Sequence, residues 1–192
     1  RLGATAAVVS ALVKHGLVRE EARHVERVAY ADNWTGGEIV AGLPPKLNDE
    51  QATVVSSVGD SLEKKKFAVH LLHGVTGSGK TEVYLHAAEH VLAHGRQVLM
   101  LVPEINLTPQ LEERVRQRFA ALGDQTIVSM HSGMTPAQRL KGWLAAHAGH
   151  ARIVLGTRMA IFASMPHLKL IVVDEEHDPS YKQQEGARYS AR

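Results

Sequence analysis

The sequence predicts an α/β domain with a parallel β-sheet covered by helices on both faces. Short apolar runs alternate with amphipathic helical patterns along most of the chain, the order that places parallel strands between crossover helices. The helical patterns carry boundary signals, such as a capping threonine or a closing glycine. The 192 residues, 44% of them hydrophobic and 22% charged, are enough for one such domain with a small appendage.

Composition excludes several classes of protein. The chain contains no cysteine, which excludes a disulfide scaffold, cysteine-ligated zinc within these residues and thiol catalysis. No apolar run approaches the ~18 residues of a membrane span. The net charge of +2 is too small to indicate nucleic-acid binding on its own.

Residues 1–44 are predicted to form a small N-terminal segment that ends in a linker. A short helix is expected over 5–15, closed by Gly16, and a strand is expected over 24–30. The linker is rich in turn residues, and we place the domain boundary before residue 45, so that the main domain covers 45–192.

The beginning of the chain also resembles the core of a signal peptide. The apolar stretch 2–13 follows a basic residue, but no small-residue cleavage site comes after it, so we do not assign a signal peptide. Because the chain starts at Arg1 rather than at Met, we expect a fragment or a processed product.

The elements of the main domain follow in order. Strands are expected at 68–73, 97–102, 126–130, 153–155 and 168–173. Helices are expected over 80–94, from Pro109 to Gly123 behind a Thr108 cap, and from Pro136 behind a capping box, with a short helix before the last strand. The third of these helices is expected to bury Leu140, Trp143 and Leu144.

The strongest motif lies between the first strand and the first helix of the main domain. Residues 74–81 match G-x-x-x-x-G-K-[ST], in which backbone N–H groups and the helix N-terminus hold phosphates. Lys80 would reach the β- and γ-phosphates and the Thr81 hydroxyl would ligate Mg²⁺. A chance glycine-rich turn is the alternative, which the strand-loop-helix context disfavours. The candidate nucleotide-binding residues here are Gly74, Thr76, Gly77, Ser78, Gly79, Lys80 and Thr81.

A second motif follows the last predicted strand. Asp174 and Glu175 come directly after four apolar residues, at the edge where open α/β sheets bind ligands. Asp174 would hold Mg²⁺ and Glu175 would activate the attacking water as a general base, with Lys80 completing the catalytic set. The alternative is an exposed acidic turn. The two motifs together favour an ATPase over a passive nucleotide binder.

Three histidines, His86, His90 and His94, are spaced four apart on the helix that follows the phosphate loop. Such a row could bind a metal ion. We favour a solvated helix face instead, because no carboxylate is in register with the histidines.

The chain resembles superfamily 2 helicases of the DEAD/DEAH type and, within them, the bacterial replication-restart helicases. The stretches that carry the resemblance are 47–51, 74–85, 101–110, 131–133, 151–162 and 172–192, the last being the most specific. The resemblance implies a P-loop NTPase fold, namely the first RecA-like lobe of a two-lobe motor. For residues 1–44 the resemblance is faint and allows two interpretations. They are the end of a winged-helix domain with a recognition helix over 5–15, or that helix is a plain packing helix, because its face is mostly Ala and Val.

The resemblance further implies roles for individual residues. Gln51 would contact the adenine, and His177 would couple the nucleotide to DNA. The residues that would follow a DNA strand are Pro103, Glu104, Thr108, Gly156, Thr157 and Arg158, and an aromatic loop running from Tyr181 to Tyr189 would sense single-stranded DNA. Read without the resemblance, Thr108 and Thr157 are helix caps, Arg158 is a surface residue and the loop is a turn with anchoring tyrosines.

For the parent protein, the resemblance implies a 3′-5′ DNA helicase that uses ATP and Mg²⁺ and starts replication restart by primosome assembly. Its partners would be single-stranded DNA, branched forks, other primosome proteins and single-strand-binding protein, in the bacterial cytoplasm at the nucleoid and not at a membrane. Zinc is expected only in a cysteine-rich module outside this chain. The second lobe, with its arginine finger, is likewise expected outside this chain, so we expect the isolated chain to be weakly active or inactive.

Three other interpretations stay open from the sequence. The first is a superfamily 2 translocase that acts on RNA, and the second is a DNA-binding or scaffold module that keeps the P-loop fold without catalysis. The third, a small-molecule kinase, is the least favoured because the acidic motif and the tyrosine loop would have no purpose in it.

Overall fold

A computed structural model of the chain describes residues 13–16, 46–64, 66–75, 77–123, 126–183 and 188–191. The chain divides into two units, Arg1–Glu38 and Ile39–Arg192, and every element named below lies in the second. Gly16 adopts the left-handed conformation that closes a helix, with φ of 69°. The rest of the expected helix before it, the expected strand at 24–30 and the expected boundary at 44/45 lie outside the described residues.

The second unit is an α/β layer structure. Its strands are β1 (Gln97–Leu101), β2 (Ile127–Met130), β3 (Ile153–Gly156) and β4 (Leu168–Val173). Its helices are α1 (Asp49–Glu63), α2 (Lys80–Ala93), α3 (Pro109–Arg118) and α4 (Pro136–His147). The strands form one parallel sheet in the order β2-β3-β1-β4. In the part of the chain that the structure describes, no helix is long and apolar enough to cross a bilayer.

Alternation along the central strands divides the core between the two sheet faces. Val98 and Met100 of β1 join a cluster with side chains of α2 and α3, whereas Leu99 and Leu101 join a second cluster. The second cluster includes Ala146 of α4. Successive strand residues point to opposite faces, so the sheet is covered on both sides as the sequence predicts.

Helix α1 is an element that our sequence analysis missed. A reciprocal capping box starts it, because the Asn48 side chain accepts from the Gln51 N–H while the Gln51 side chain accepts from the Asn48 N–H. This Asn-x-x-Gln spacing was visible in the sequence as a helix start. The same residues belong to the stretch 47–51 that carries the family resemblance. No residue of the helix is buried, so it lacks the apolar stripe by which a helix is usually predicted.

The expected strand at 68–73 is wrong for this structure. Residues 68–73 form no strand and pair with no strand among the described residues. Phe67, Val69 and Leu71 are 95%, 80% and 81% exposed. An apolar run reports which side chains favour burial, but a strand also needs a hydrogen-bonding neighbour, and the described sheet ends at β4.

Helix α4 forms behind the expected capping box of Thr135 and Gln138, but its buried face differs from the prediction. Leu140 and Leu144 are 58% and 51% exposed, and the buried residues are Gly142 and Ala146. The prediction is therefore wrong for the two leucines, whereas Trp143 is partly buried and packs against the second core cluster. Small residues face the sheet because they allow the helix to approach it closely.

Candidate functional site

The carboxyl ends of the parallel strands meet at one edge of the sheet and place the sequence motifs there. Pro103 follows β1, Thr157 follows β3 and Asp174 follows β4. The Asp174 N–H donates to the Leu101 carbonyl at 2.9 Å, which continues the β1–β4 ladder into the acidic motif. Ligands of open α/β sheets bind at this edge.

The phosphate loop precedes α2 and is shaped by two left-handed glycines. Gly77 and Gly79 both have φ of 82°, which a residue with a side chain adopts only with strain. A Cβ at Gly79 would also overlap the amide nitrogen of Gln51. Lys80 at the start of α2 donates from Nζ to the Gly74 carbonyl at 2.8 Å and to the Val75 carbonyl at 3.2 Å.

The Gln51 side chain of helix α1 contacts this loop. Gln51 Nε2 donates to the Ser78 carbonyl at 3.1 Å, while Oε1 of the same side chain closes the capping box. The structure therefore places Gln51 against the phosphate loop, and its expected contact with adenine stays a prediction. Thr76 lies outside the described residues.

The acidic motif faces the loop across Lys80. Glu175 Oε1 lies 3.8 Å from Lys80 Nζ, and Glu175 Oε2 lies 3.8 Å from His177 Nδ1. Glu175 is also the non-glycine residue with a positive φ, 46°, among the residues described, and such strain clusters at functional sites. Burial, and next the neighbouring Glu175 charge, raise the pKa of Asp174, while Lys80 opposes the rise.

Two oxygen ligands in this region suit Mg²⁺. The hydroxyl of Thr81 and the carboxylate of Asp174 are hard oxygen donors, and hard oxygens are what Mg²⁺ binds, usually with several waters retained. The Tyr84 hydroxyl donates to Thr81 Oγ1 at 3.2 Å and orients it, and burial raises the pKa of Tyr84 to about 12, so this donor stays protonated. The residues present therefore fit a magnesium-nucleotide complex.

Tyr181 supports the acidic motif from the core of the domain. It is 0% exposed, and its hydroxyl lies 2.6 Å from the Asp174 carbonyl and 3.0 Å from the Leu101 carbonyl. Its single proton can be donated to one of these carbonyls at a time. Stacking of Tyr181 on a DNA base is therefore wrong for this conformation, because the ring is packed in the core beneath the site. An anchoring role, which was the alternative, is what the structure shows.

A cleft of about 370 Å³ opens at the same edge of the sheet. Its walls come from the segments after β1, β2 and β3, with Glu104, Leu107, Pro109, Glu112, His131, Ser132 and Thr157 lining it. Glu104 accepts a hydrogen bond from the Ser132 hydroxyl at 3.2 Å, which joins two of these segments. We missed His131 and Ser132 as site residues, although the sequence showed their His-Ser-Gly stretch as part of the family pattern.

Of the other residues expected to contact DNA, Thr108 and Pro103 lie at the starts of helical turns, whereas the Thr157 hydroxyl lies in the cleft lining. Thr108 caps α3, accepting from the Leu111 N–H at 3.2 Å, and Pro103 is buried ahead of a 3₁₀ turn at Glu104–Asn106. Thr157 is buried and does not cap the 3₁₀ turn Arg158–Phe162; its hydroxyl has no hydrogen-bond partner within the described part of the chain. A buried hydroxyl without a partner in a cleft lining is suited to accept a ligand.

The remaining candidates lie around the 3₁₀ turn Pro179–Tyr181. Arg158 donates to the Ser180 carbonyl at 3.0 Å, so its guanidinium holds this turn and is not an isolated surface group. Tyr189 packs edge-on against Phe162 with ring centroids 5.0 Å apart. Lys182 and Ser190 pair with each other in an isolated antiparallel bridge, and residues 184–187 are not described. The stacking role of Tyr189 stays a prediction.

Comparison with known proteins places these features in one family. The model of the DEAD/DEAH box helicase family matches residues 48–191. Replication restart protein PriA of Bacillus subtilis (strain 168) is 42% identical over 188 residues, which are 98% of this chain and 22% of that protein. Replication restart protein PriA of Haemophilus influenzae is 43% identical over 189 residues, 98% of this chain and 25% of that protein.

A solved structure shows the same fold. A structure of RecG bound to a three-way DNA junction matches 77% of this chain and 20% of its own chain, with a TM-score of 0.63 and 25% sequence identity. This chain thus spans about a quarter or less of the relatives that it matches. The RecA-like α/β fold expected from the resemblance is confirmed.

Proposed function

The chain belongs to the DEAD/DEAH box helicase family, and we propose that it is the ATP-binding lobe of an ATP-dependent DNA helicase that acts in replication restart. The observation that supports this most is the meeting of the phosphate loop and the acidic motif. Lys80 Nζ lies within 4 Å of Glu175 at the sheet edge that also carries the cleft. A P-loop scaffold without catalysis would not need the Glu175 carboxylate, our proposed general base, within 4 Å of the phosphate-loop lysine.

The phosphate loop would bind the nucleotide by exchanging its internal bonds. Lys80 donates to two carbonyls of its own loop, and the same ammonium would turn to the β- and γ-phosphates. The free N–H groups at the start of α2 add the favourable helix dipole. Gln51 holds Ser78 and so keeps the loop against α1.

The acidic motif would position metal and water. Thr81 and Asp174 would hold Mg²⁺, which when bound neutralises charge on the phosphates. Glu175 would accept the proton of the attacking water, and Lys80 Nζ and His177 Nδ1 each lie 3.8 Å from an oxygen of its carboxylate. Its strained backbone holds the carboxylate at the end of β4.

A continuous chain of contacts connects this site to the cleft. The Asp174 carbonyl meets the Tyr181 hydroxyl, Tyr181 follows Ser180, and the Ser180 carbonyl meets Arg158, which follows the cleft residue Thr157. We propose that nucleic acid in the cleft acts on Asp174 and Glu175 through this route. His177 and Tyr189 would be its outer members.

The finer assignments rest on the relatives. The names of the PriA relatives support replication restart, and the RecG structure supports branched DNA as the ligand. We therefore propose that the parent protein translocates 3′ to 5′, recognises stalled forks and assembles a primosome with single-strand-binding protein, in the cytoplasm at the nucleoid. Zinc, if bound by cysteines, belongs to parts of that protein outside residues 1–192.

The first test measures binding of a fluorescent ATP analogue to the chain with Mg²⁺ present. We expect weak binding that Lys80→Ala weakens further, by about 10-fold or more, because one charged phosphate contact is lost. Lys141→Ala is the matched control, since it removes the same charge from α4. Equal binding by wild type and Lys80→Ala would contradict the proposed nucleotide site.

The second test measures ATP turnover with and without nucleic acid. We expect little turnover by the isolated chain, because an arginine finger from a second lobe contributes about 10³–10⁵ in rate. Robust DNA-stimulated turnover by this chain alone would overturn that expectation. Competition between single-stranded DNA and RNA distinguishes the proposed helicase from an RNA translocase.

A further inference from the structure

Three metal-ligating side chains converge at the ends of α1 and α2, away from the phosphate loop. Glu63 is the last residue of α1, His90 lies in the last turn of α2, and His94 follows α2 as its C-cap. One ligand atom from each lies within 4.8 Å of the other two. The cluster belongs to no motif that the proposed function uses.

The geometry is more specific than one hydrogen-bonded pair. Glu63 Oε1 lies 2.9 Å from His90 Nε2 and 3.9 Å from His94 Nε2, so the carboxylate faces both rings. A tetrahedral zinc ion with bonds of about 2.0–2.1 Å needs ligand atoms about 3.3 Å apart. The two observed separations lie on either side of that value.

The ring of His94 is oriented for a metal. Its Nδ1 lies 2.7 Å from the His90 carbonyl, and a carbonyl only accepts, so Nδ1 carries the proton. The lone pair of His94 is therefore on Nε2, the atom that faces Glu63. Metal-ligating histidines typically donate their other ring N–H to a carbonyl or carboxylate in this manner.

The C-terminal ends of α1 and α2 bring the negative ends of two helix dipoles to this place, which favours a cation there. Lys64, the C-cap of α1, carries a positive charge that opposes this effect. The side chains of Glu63, His90 and His94 are 63%, 38% and 58% exposed, which leaves room for water to complete the coordination.

The third histidine of the row is not part of the cluster. His86 Nδ1 lies 3.1 Å from Glu89, and its Nε2 lies 3.1 Å from Arg118 on α3. We expected a solvated face because no carboxylate on α2 is in register with the histidines. That expectation is wrong for His90 and His94, because Glu63 of α1 supplies a carboxylate to both rings.

We propose that Glu63, His90 and His94 form a binding site for a divalent transition-metal ion of the zinc class, with water in the remaining position. The ion would join the C-terminal end of α1 to that of α2. Since Gln51 at the other end of α1 donates to Ser78, α1 would then be held at both ends, by the ion to α2 and by Gln51 to the phosphate loop.

The test titrates Zn²⁺ into the metal-free chain in competition with a chromophoric chelator. We expect one equivalent to bind, with affinity lowered about 10-fold or more by His94→Gln and by Glu63→Gln. His86→Gln is the matched control, because it removes an imidazole of the same helix from outside the cluster. Circular dichroism checks that each variant keeps the wild-type helix content.

Cobalt provides a second readout. Co²⁺ bound by two imidazoles and a carboxylate in a tetrahedral site absorbs visible light much more strongly than the hexaaquo ion does. We expect this intense absorption to disappear in His94→Gln and to remain in His86→Gln. No competition with the chelator by the wild-type chain would overturn the proposal. So would equal loss in all three variants, which would show that zinc binds to surface histidines without a defined site.

Discussion

The two flanks of the candidate nucleotide site differ in how the molecule supports them. The acidic flank, Asp174 and Glu175, directly follows β4, which pairs with β1. The Tyr181 side chain is 0% exposed, and its hydroxyl lies within hydrogen-bond distance of the Leu101 and Asp174 carbonyls. The phosphate-loop flank is preceded by residues 68–73, which pair with no described strand. Phe67 at its start is 95% exposed.

The presence of a catalytic motif and the structural support of that motif are therefore separate properties of this site. Both flanks carry complete motifs, but only the acidic one is held by a sheet ladder and a buried side chain. The loop depends on its own contacts, those of Lys80 with Gly74 and Val75 and that of Gln51 with Ser78. We infer that segment 68–73 is stabilised by sheet pairing only when a neighbouring strand is supplied.

Hydrogen exchange tests the comparison with the largest expected effect. None of residues 67–73 donates a backbone hydrogen bond among the bonds within the described part, whereas β1 is paired on both sides. We expect the amides of 67–73 to exchange at least about 10³-fold faster than those of 98–101, since β1 amides open only with substantial unfolding. Equal protection of the two segments would show that 68–73 is a sheet strand in solution.

Substitutions that remove one aromatic ring from each flank test the comparison next. Tyr181→Ala removes a ring that is completely buried, so we expect the free energy of unfolding in urea to fall by about 3–5 kcal/mol. Phe67→Ala removes a ring that is almost completely exposed, and we expect a change within about 0.5 kcal/mol. The two urea titrations are compared at one pH and temperature. A larger loss in Phe67→Ala than in Tyr181→Ala would reverse the comparison.

Most of the fold could be predicted from the sequence because it is encoded locally. Strands such as 97–101 and 153–156 are apolar on both faces, and helices such as α3 and α4 carry their own caps at Thr108 and Thr135. The exceptions depended on partners that local patterns do not contain. Segment 68–73 has the composition of a strand without a described neighbour, and α1 is a helix that buries no residue.

The site followed the same rule. The motifs predicted which residues meet, since Lys80 and Glu175 are 95 positions apart in sequence and 3.8 Å apart in space. The sequence could not predict that Tyr181 faces inward, because an aromatic in a polar loop is equally compatible with stacking and with anchoring. It also could not predict that Glu63 completes the histidine row, because that contact joins two helices.

The smallest effect concerns the charge of the acidic flank. Burial raises the pKa of Asp174 in the folded chain above its ordinary value of 3.8, so ionisation is less favourable in the folded state than in the unfolded state. The stability contributed by the protonated form is therefore lost as the pH rises from about 4 through the raised folded pKa. At pH 7 the ionised carboxylate opposes folding, and Asp174→Asn should raise the free energy of unfolding, by up to about 1 kcal/mol for a partly exposed group.

Asp178→Asn gives the control of opposite sign on the same loop. The side-chain and backbone hydrogen bonds of Ser180 lower the pKa of Asp178, so its ionised form favours folding and its removal should lower stability at pH 7. Urea unfolding at pH 7 measures both changes. Asp174→Asn should at the same time lose the Mg²⁺ dependence of nucleotide binding, because the carboxylate that would hold the ion is gone. A loss of stability in Asp174→Asn would show that the carboxylate supports the fold, and that the acidic flank carries no electrostatic cost for its function.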